Sequence, residues 1–343
     1  VLVGPRPQRV AGLADGDAAL DAVADELWGP LDSRANTRRD YGKGRVYRGL
    51  ALTDVLAAEA LAPDLRFEGE GAAKMAALHR TLPDGELYFV ANQGDASVHV
   101  DVSLRVNGLA PELWRADDAS IAPATYRQQD SRTIVPLSLG AYDSVFIVLR
   151  KPAVQAARTF DAPATRALMT VDGPWTLRFM ADRGAPASVQ WPRLASWSDS
   201  ADVGIRYYAG TGGYETAFDI SKRWLAAGER LWLDLGEVHE TAQVFVNGQS
   251  AGYAWKPPYR VDVTALLKPG RNALRIDVAN LWPNRFVGDR QPGAIRSYAF
   301  STYDIYWPGL TRLPFKADTP LLPSGLLGPV RIVSETQPWR NEK

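Results

Sequence analysis

The chain has 343 residues, 46% of them hydrophobic and 23% charged, an ordinary globular composition with length for two or three domains. Its 39 basic and 39 acidic residues cancel, which argues against a nucleic-acid binder with its basic excess, and no apolar run approaches the ~20 residues a membrane span needs. There is no cysteine, so disulfides, thiolate metal sites and cysteine nucleophiles are excluded.

In chain order, residues 1–65 read as an α/β segment. Val1–Gly4 is an apolar strand already under way at the first residue, which leads us to expect a piece of something longer. Asp15 or Asp17 can cap a helix whose Leu20, Val23, Ala24, Leu27 and Trp28 share one face. Gly29-Pro30 stops it. The Arg45-Val46-Tyr47 core of YGKGRVYRG reads as a short strand, and Thr53 is placed to cap a second helix through Leu61, ended by Pro63. Strand, helix, strand and helix imply a small parallel unit. Two strands are few for a doubly wound fold, so the segment reads as the end of a larger, truncated α/β domain.

From 66 to 150 the period becomes two. Val98, Val100, Val102, Leu104 and Val106 alternate with polar residues, giving a strand with one buried and one wet face. YDSVFIVLRK is apolar on both faces, which suits a central strand. Turn signals at PDG, NQGD and NGL complete a small antiparallel β-sandwich. Residues 151–165, rich in Ala, Pro and Arg, read as a linker.

Residues 166–338 read as a second sandwich or jelly roll. Tyr214, Thr216, Phe218 and Ile220 alternate, as do Leu274, Ile276 and Val278, and long helices are absent. The fold class expected is therefore mainly β: two antiparallel β-sandwich or jelly-roll domains behind a small truncated α/β segment.

Catalytic patterns are sparse. His239 opens HETAQ, but Gln243 stands where a zinc-binding helix motif requires its second His. His99 lies on the wet face of a strand and His79 has no visible partner. AGTGGYE runs into a strand, so it cannot present a helix N-terminus to phosphate. A glycosidase pair facing across a cleft has no local spacing that would reveal it; Glu215, Glu237 and Glu240 read as solvated carboxylates, as loop acids on a sandwich usually are.

The stretch Val244–Thr264 is the most informative. Asn247-Gly248 is a strong hairpin signal, since a type I′ turn requires positive φ at both positions. Pro257-Pro258 keeps the next segment out of a central ladder. Thr264 is placed to cap a single turn that Pro269-Gly270 ends. Trp255 and Tyr259 thus fall beside a turn, where they can stack on a sugar face or pack under the loop. Two of the eleven tryptophans precede residue 151 and nine follow it. Flat apolar rings of this kind cover the C–H face of a sugar, though single tryptophans more often fill cores.

The run A-x-V-F-V-N-G-x-x-A-G, a Pro-Tyr segment and D-V-T-A-L-L-K-P-G-x-N-x-L-x-I-x-V-A-N resembles the galactose-binding-like jelly roll of family 2 glycoside hydrolases. NLWPNRFVGD and PLLPSGLLGPVRI resemble the C-terminal end of glycoside hydrolase family 106, the α-L-rhamnosidases. RVYRGLALTDVLAAEALAPDL resembles the end of that family's amidotransferase-like domain, and LHRTLPDGELYFVANQ with APELWRADD its small sandwich. The resemblance implies removal of terminal L-rhamnose from glycans with inversion, by two glutamates and a nearby calcium. Those glutamates belong to a (β/α)₈ barrel of ~250 residues for which this chain has no stretch. It implies no catalytic residue here and no cofactor in this chain, with calcium an option of the parent enzyme and any metal in these domains left open. The partners implied are a rhamnose-containing glycan and an upstream catalytic barrel of the same protein, and the compartment expected is periplasmic or extracellular. Trp255, Tyr259, Trp282 and Arg285 are the candidate carbohydrate-binding residues. A free-standing carbohydrate-binding module and a structural β-sandwich array are the alternatives.

Overall fold

The structure is a computed structural model and describes residues 1–10, 17–31, 34–226, 228–294 and 315–336. The first unit comprises β1 (Leu2–Val3), α1 (Asp17–Trp28), β2 (Arg38–Tyr41), β3 (Gly44–Tyr47) and α2 (Leu52–Ala58). Its sheet has the order β1-β3-β2, with β1 parallel and β2 antiparallel to β3. Ala24 and Trp28 of α1 close a small core with Leu31 and Val46, and the Trp28 indole donates to the Gly4 carbonyl at 3.1 Å. Val23, expected on the buried face, is 53% exposed, because three short strands cover less than the full apolar stripe of the helix.

Thr53 does not cap α2. Extended backbone at Ala51 already serves as the cap, without a side-chain bond, so Thr53 falls inside the first turn. The helix also stops at Ala58, short of Leu61, where Ala60 takes a left-handed φ of 54°. Beside that end the Glu59 carboxylate accepts from Tyr47 Oη and Arg45 Nη1, each at 2.5 Å.

The next unit is a two-sheet sandwich. Its strands are β4 (Leu65–Glu68), β5 (Met75–Leu82), β6 (Gly85–Asn92), β7 (Val98–Leu104), β8 (Leu109–Arg115), β9 (Ser120–Pro123), β10 (Tyr126–Gln129), β11 (Arg132–Leu139), β12 (Ser144–Pro152) and β13 (Ala157–Arg158). The sheets have the orders β13-β10-β11-β7-β4 and β5-β6-β12-β8-β9. Val98, Val100, Val102 and Leu104 point into the core as their alternation requires, facing Val145, Ile147 and Leu149 of β12. β12 is central, as its apolar faces predict. The expected linker is partly drawn into the sheet, since Ala157 and Arg158 pair with β10.

The last unit contains β14 (Thr165–Thr170), β15 (Trp175–Phe179), β16 (Ser188–Trp191), α3 (Val203–Arg206), β17 (Thr211–Ile220), α4 (Lys222–Ala226), β18 (Arg230–Asp234), β19 (Glu237–His239), β20 (Thr241–Val246), β21 (Gln249–Ala254), β22 (Arg260–Asp262), β23 (Gly270–Ala279), α5 (Pro283–Gly288), β24 (Gly325–Gly328) and β25 (Arg331–Glu335). A four-stranded sheet, β14-β25-β18-β22, faces a six-stranded one, β16-β15-β17-β23-β20-β21. Between them lie Trp175, Leu177, Tyr214, Val244 and Ile276 against Leu231, Leu233, Val261 and Ile332. Burying each such side chain contributes ~1.5–3 kcal/mol. Trp197, wholly buried, stacks on Tyr214 at 6.2 Å between centroids and meets Phe179 and Tyr208 edge-on.

Asn247 and Gly248 carry φ of 52° and 84°, the hairpin expected between β20 and β21. Thr264 is not a helix cap. Its hydroxyl accepts from the Leu231 amide at 2.8 Å and donates to Asp262 at 2.6 Å, because β18 runs alongside and offers a donor that a local turn lacks. Among the described residues no helix is long and apolar enough to cross a membrane.

Candidate functional site

A cleft of about 870 Å³ opens between the two sandwiches. One wall comes from the β8–β9 turn and the turn before β12, which carry Asp117, Asp118 and Asp143. The other comes from β18, the end of β21 and the segment leading into β22, which carry Arg230, Trp232, Tyr253, Trp255, Lys256 and Arg260.

Two cations reach across it. Lys256 Nζ lies 2.7 Å from Asp143 Oδ1 and 2.7 Å from Asp117 Oδ2. Arg230 places Nη1 2.8 Å from Asp118 Oδ2 and Nε 2.6 Å from Asp262 Oδ2. Asp143 further receives the Ser144 amide at 2.8 Å and faces Arg115 at 3.3 Å. Burial alone would push the Asp143 carboxyl up, but Lys256, the Ser144 amide and Arg115 together hold it below the usual carboxylate range. Asp118 and Asp262 are likewise held low: burial opposes, while Ser120 and Arg230 act on Asp118, and Thr264 and Arg230 on Asp262. Burial would lower the Lys256 ammonium, yet Asp117 and Asp143 raise it.

The apolar surface of the cleft is aromatic. Tyr253 is 66% and Trp255 59% exposed, and the Lys256 ammonium lies 5.7 Å from the Trp255 ring centre. Trp232 is buried, with the Arg230 and Arg260 guanidiniums 4.2 and 4.3 Å from its ring centre. Its indole Nε1 is buried and has no hydrogen-bond partner among the described residues.

The four expected sugar-binding residues fall in two places. Trp255 stands in the cleft. Tyr259, three residues past Lys256, packs partly buried against the jelly-roll core, and burial followed by Glu240 raises its hydroxyl. Trp282 and Arg285 lie outside the cleft lining, at α5. Trp282 is 41% exposed, with the Arg183 guanidinium 5.6 Å from its ring centre. Arg285 is buried, its Nε 2.9 Å from Asp289 Oδ1. Sequence reading missed Asp117, Asp143, Lys256 and Arg230, because their pairing joins residues more than a hundred positions apart and leaves no local pattern.

His99 Nδ1 lies 2.8 Å from Ser138 Oγ, and Glu240 lies 3.9 Å from His239 Nδ1. Glu237 accepts from His239 at 2.8 Å, and Glu215 pairs with Arg178 at 3.0 Å. His79 lies between Asp64 and Glu86, at 2.9 and 2.8 Å. Among the described residues no three His, Asp or Glu side chains converge as metal ligands. The space between Asp117 and Asp143 holds the Lys256 ammonium, so the cleft does not fit a calcium ion.

Comparison with known proteins adds the following. Residues 1–128 match the family described as alpha-L-rhamnosidase. Residues 208–293 match the glycosyl hydrolase 2 galactose-binding domain-like family. A solved rhamnosidase structure from Novosphingobium sp. PP1Y superposes with a TM-score of 0.79 at 36% identity, covering 97% of this chain and 30% of that one. A Formosa agariphila protein, named as a candidate beta-glucuronidase, is 38% identical over 174 residues, 47% of this chain and 15% of that protein. The chain thus spans less than a third of the length of either relative.

Proposed function

We propose, for a chain that is α-L-rhamnosidase-like over residues 1–128 and galactose-binding-like over residues 208–293, that it forms the non-catalytic C-terminal region of a glycoside hydrolase removing terminal α-L-rhamnose from glycans with inversion. Hydrolysis then falls to a (β/α)₈ barrel elsewhere in the protein, and these sandwiches support that barrel and hold part of the glycan. Calcium, where the enzyme uses it, belongs with that barrel.

The reading is carried by the state of the cleft carboxylates. An inverting glycosidase needs one carboxyl kept protonated to donate to the leaving oxygen, opposite a second that activates water. In this cleft the reverse holds: Asp118, Asp143 and Asp262 are kept ionised by Arg230 and Lys256. A carboxylate already bonded to a cation is a poor proton donor and a weak base. The cleft is equipped instead to hold a sugar, with the exposed faces of Trp255 and Tyr253 beside charged groups of fixed position. Trp282 offers a second exposed ring, while Tyr259 and Arg285 serve to position the segments that carry Trp255 and Trp282.

The test is hydrolysis of an aryl α-L-rhamnoside by the 343-residue chain. We expect no turnover above the spontaneous rate, and Asp118→Asn and Asp143→Asn should change stability alone. Turnover that disappears with either substitution, or with Glu215→Gln, Glu237→Gln or Glu240→Gln, would overturn the assignment.

A further inference from the structure

A second concavity, about 600 Å³, lies on the outward face of the six-stranded sheet, away from the cleft residues that bridge the sandwiches. We infer that this groove is a binding site for a neutral oligosaccharide. The choice of a saccharide rests on the reading above; the site itself rests on separate residues.

The sheet register builds it. Gln190, Thr176, Glu215, Arg275 and Phe245 stand opposite one another on five successive strands, β16, β15, β17, β23 and β20. At the usual strand spacing this row is roughly 19 Å long, the reach of a short sugar chain. Ala217 and Ala273, the next outward pair, leave a shallow floor, with Pro174 and Gly248 among the rim residues.

Three features separate this face from an ordinary solvated one. First, its polar groups are held in place before any ligand arrives. Gln190 Nε2 donates to Thr176 Oγ1 at 2.7 Å, Arg178 Nε to Glu215 at 3.0 Å, and Arg275 Nε lies 3.3 Å from Asp277 Oδ1. Second, an aromatic ring points outward in the row: Phe245, with the Arg275 guanidinium 3.9 Å from its centre. Third, Gly213 occupies an outward position with no positive φ to require it, and an added Cβ would stand 3.0 Å from Asp277 Oδ1. The missing side chain lets the Asp277 carboxylate lie close to the sheet and keeps the face low.

The charge pattern selects the ligand class. Arg178 is matched by Glu215 and Arg275 by Asp277, and Arg271, also in the lining, stands opposite Asp219 in the register, so the face offers alternating donors and acceptors without a large net field to attract phosphate or polyanion. Vicinal hydroxyls can bridge a guanidinium and a neighbouring carboxylate, while the apolar edge of a pyranose packs beside the stacked Phe245–Arg275 pair.

Titration of the chain with neutral α-linked rhamnotetraose and β-linked galactotetraose, by calorimetry and backbone-amide NMR, tests this. We expect at least one of the two sugars to bind, with shifts along β17, β23 and β20. Phe245→Ala and the isosteric Glu215→Gln should each weaken that binding about tenfold, and Val154→Ala, an exposed position outside both concavities, should leave it unchanged. Binding insensitive to both groove variants overturns the groove; if it is then lost with Trp255→Ala, the cleft stands alone. No binding of either sugar at millimolar concentration removes the groove as well as any sugar contact in the cleft, while leaving the hydrolase scaffold role to the turnover assay.

Discussion

Adjacent side chains at positions 255 and 256 do opposite work. Trp255 gives most of its surface to solvent, so its removal should barely touch stability: surface changes away from packed features stay within about 0.5 kcal/mol. Trp255→Ala is therefore expected to melt with the parent chain while losing saccharide contact in the cleft, as read by intrinsic fluorescence quenching. Lys256 is the reverse case. Its side chain is only 17% exposed and its ammonium bridges two carboxylates, so Lys256→Met should cost about 2 kcal/mol in urea denaturation, mostly from stranding Asp143. The pH dependence follows from the shifts. Asp143 is lowered, so its contribution is present above the unfolded value near ~3.9 and fades as pH falls through the lower folded value. Lys256 is raised, so its contribution is complete below ~10.4 and fades as pH rises through the higher folded value. The difference between parent and Lys256→Met should be flat across neutral pH and shrink at both extremes. Trp255 could be picked out from its place among prolines and tyrosines near a hairpin. Lys256 could not, since nothing near it in sequence names an acid more than a hundred positions away.

At the level of strands, the two-residue period carried most of the information. It placed Val98, Val100, Val102 and Leu104 inside, and it separated inward Tyr214 from outward Glu215. The same period distinguishes the two glycines of β17. Gly212 faces the core, where a Cβ would come 2.5 Å from Trp197 and 3.3 Å from Phe179. Neither ring has room to retreat, so Gly212→Ala should cost ~1–3 kcal/mol by overpacking. Gly213→Ala meets chiefly a movable carboxylate and should cost less; paired thermal melts of the two variants check the order. The Asn-Gly hairpin was legible because positive φ at two successive positions admits few residues. Caps at Thr53 and Thr264 were misread for a shared reason. A side-chain hydroxyl bonds whatever partner the fold brings, and the neighbouring strand or an earlier cap took precedence over local propensity. The outward row from Gln190 to Phe245 was invisible because its members are scattered over five strands in an order that only the register fixes.

On the scale of the whole chain, composition and period sufficed for a mainly β architecture with two sandwiches behind a small α/β unit. The cleft between them was not readable, because it belongs to neither sandwich alone. Arg230 and Lys256 tie the two adjacent folds together: each leaves the second sandwich and reaches the first, Lys256 at Asp117 and Asp143, Arg230 at Asp118 while also holding Asp262 of its own fold. Such a clasp couples the melting of its two halves. In scanning calorimetry the parent sandwiches should unfold within a single endotherm, whereas Lys256→Met combined with Arg230→Met should resolve into two, the earlier belonging to whichever half is intrinsically weaker. A protein built this way would transmit mechanical load from a swinging neighbour as a rigid strut, and would lose that stiffness by cutting two side chains without disturbing either hydrophobic interior.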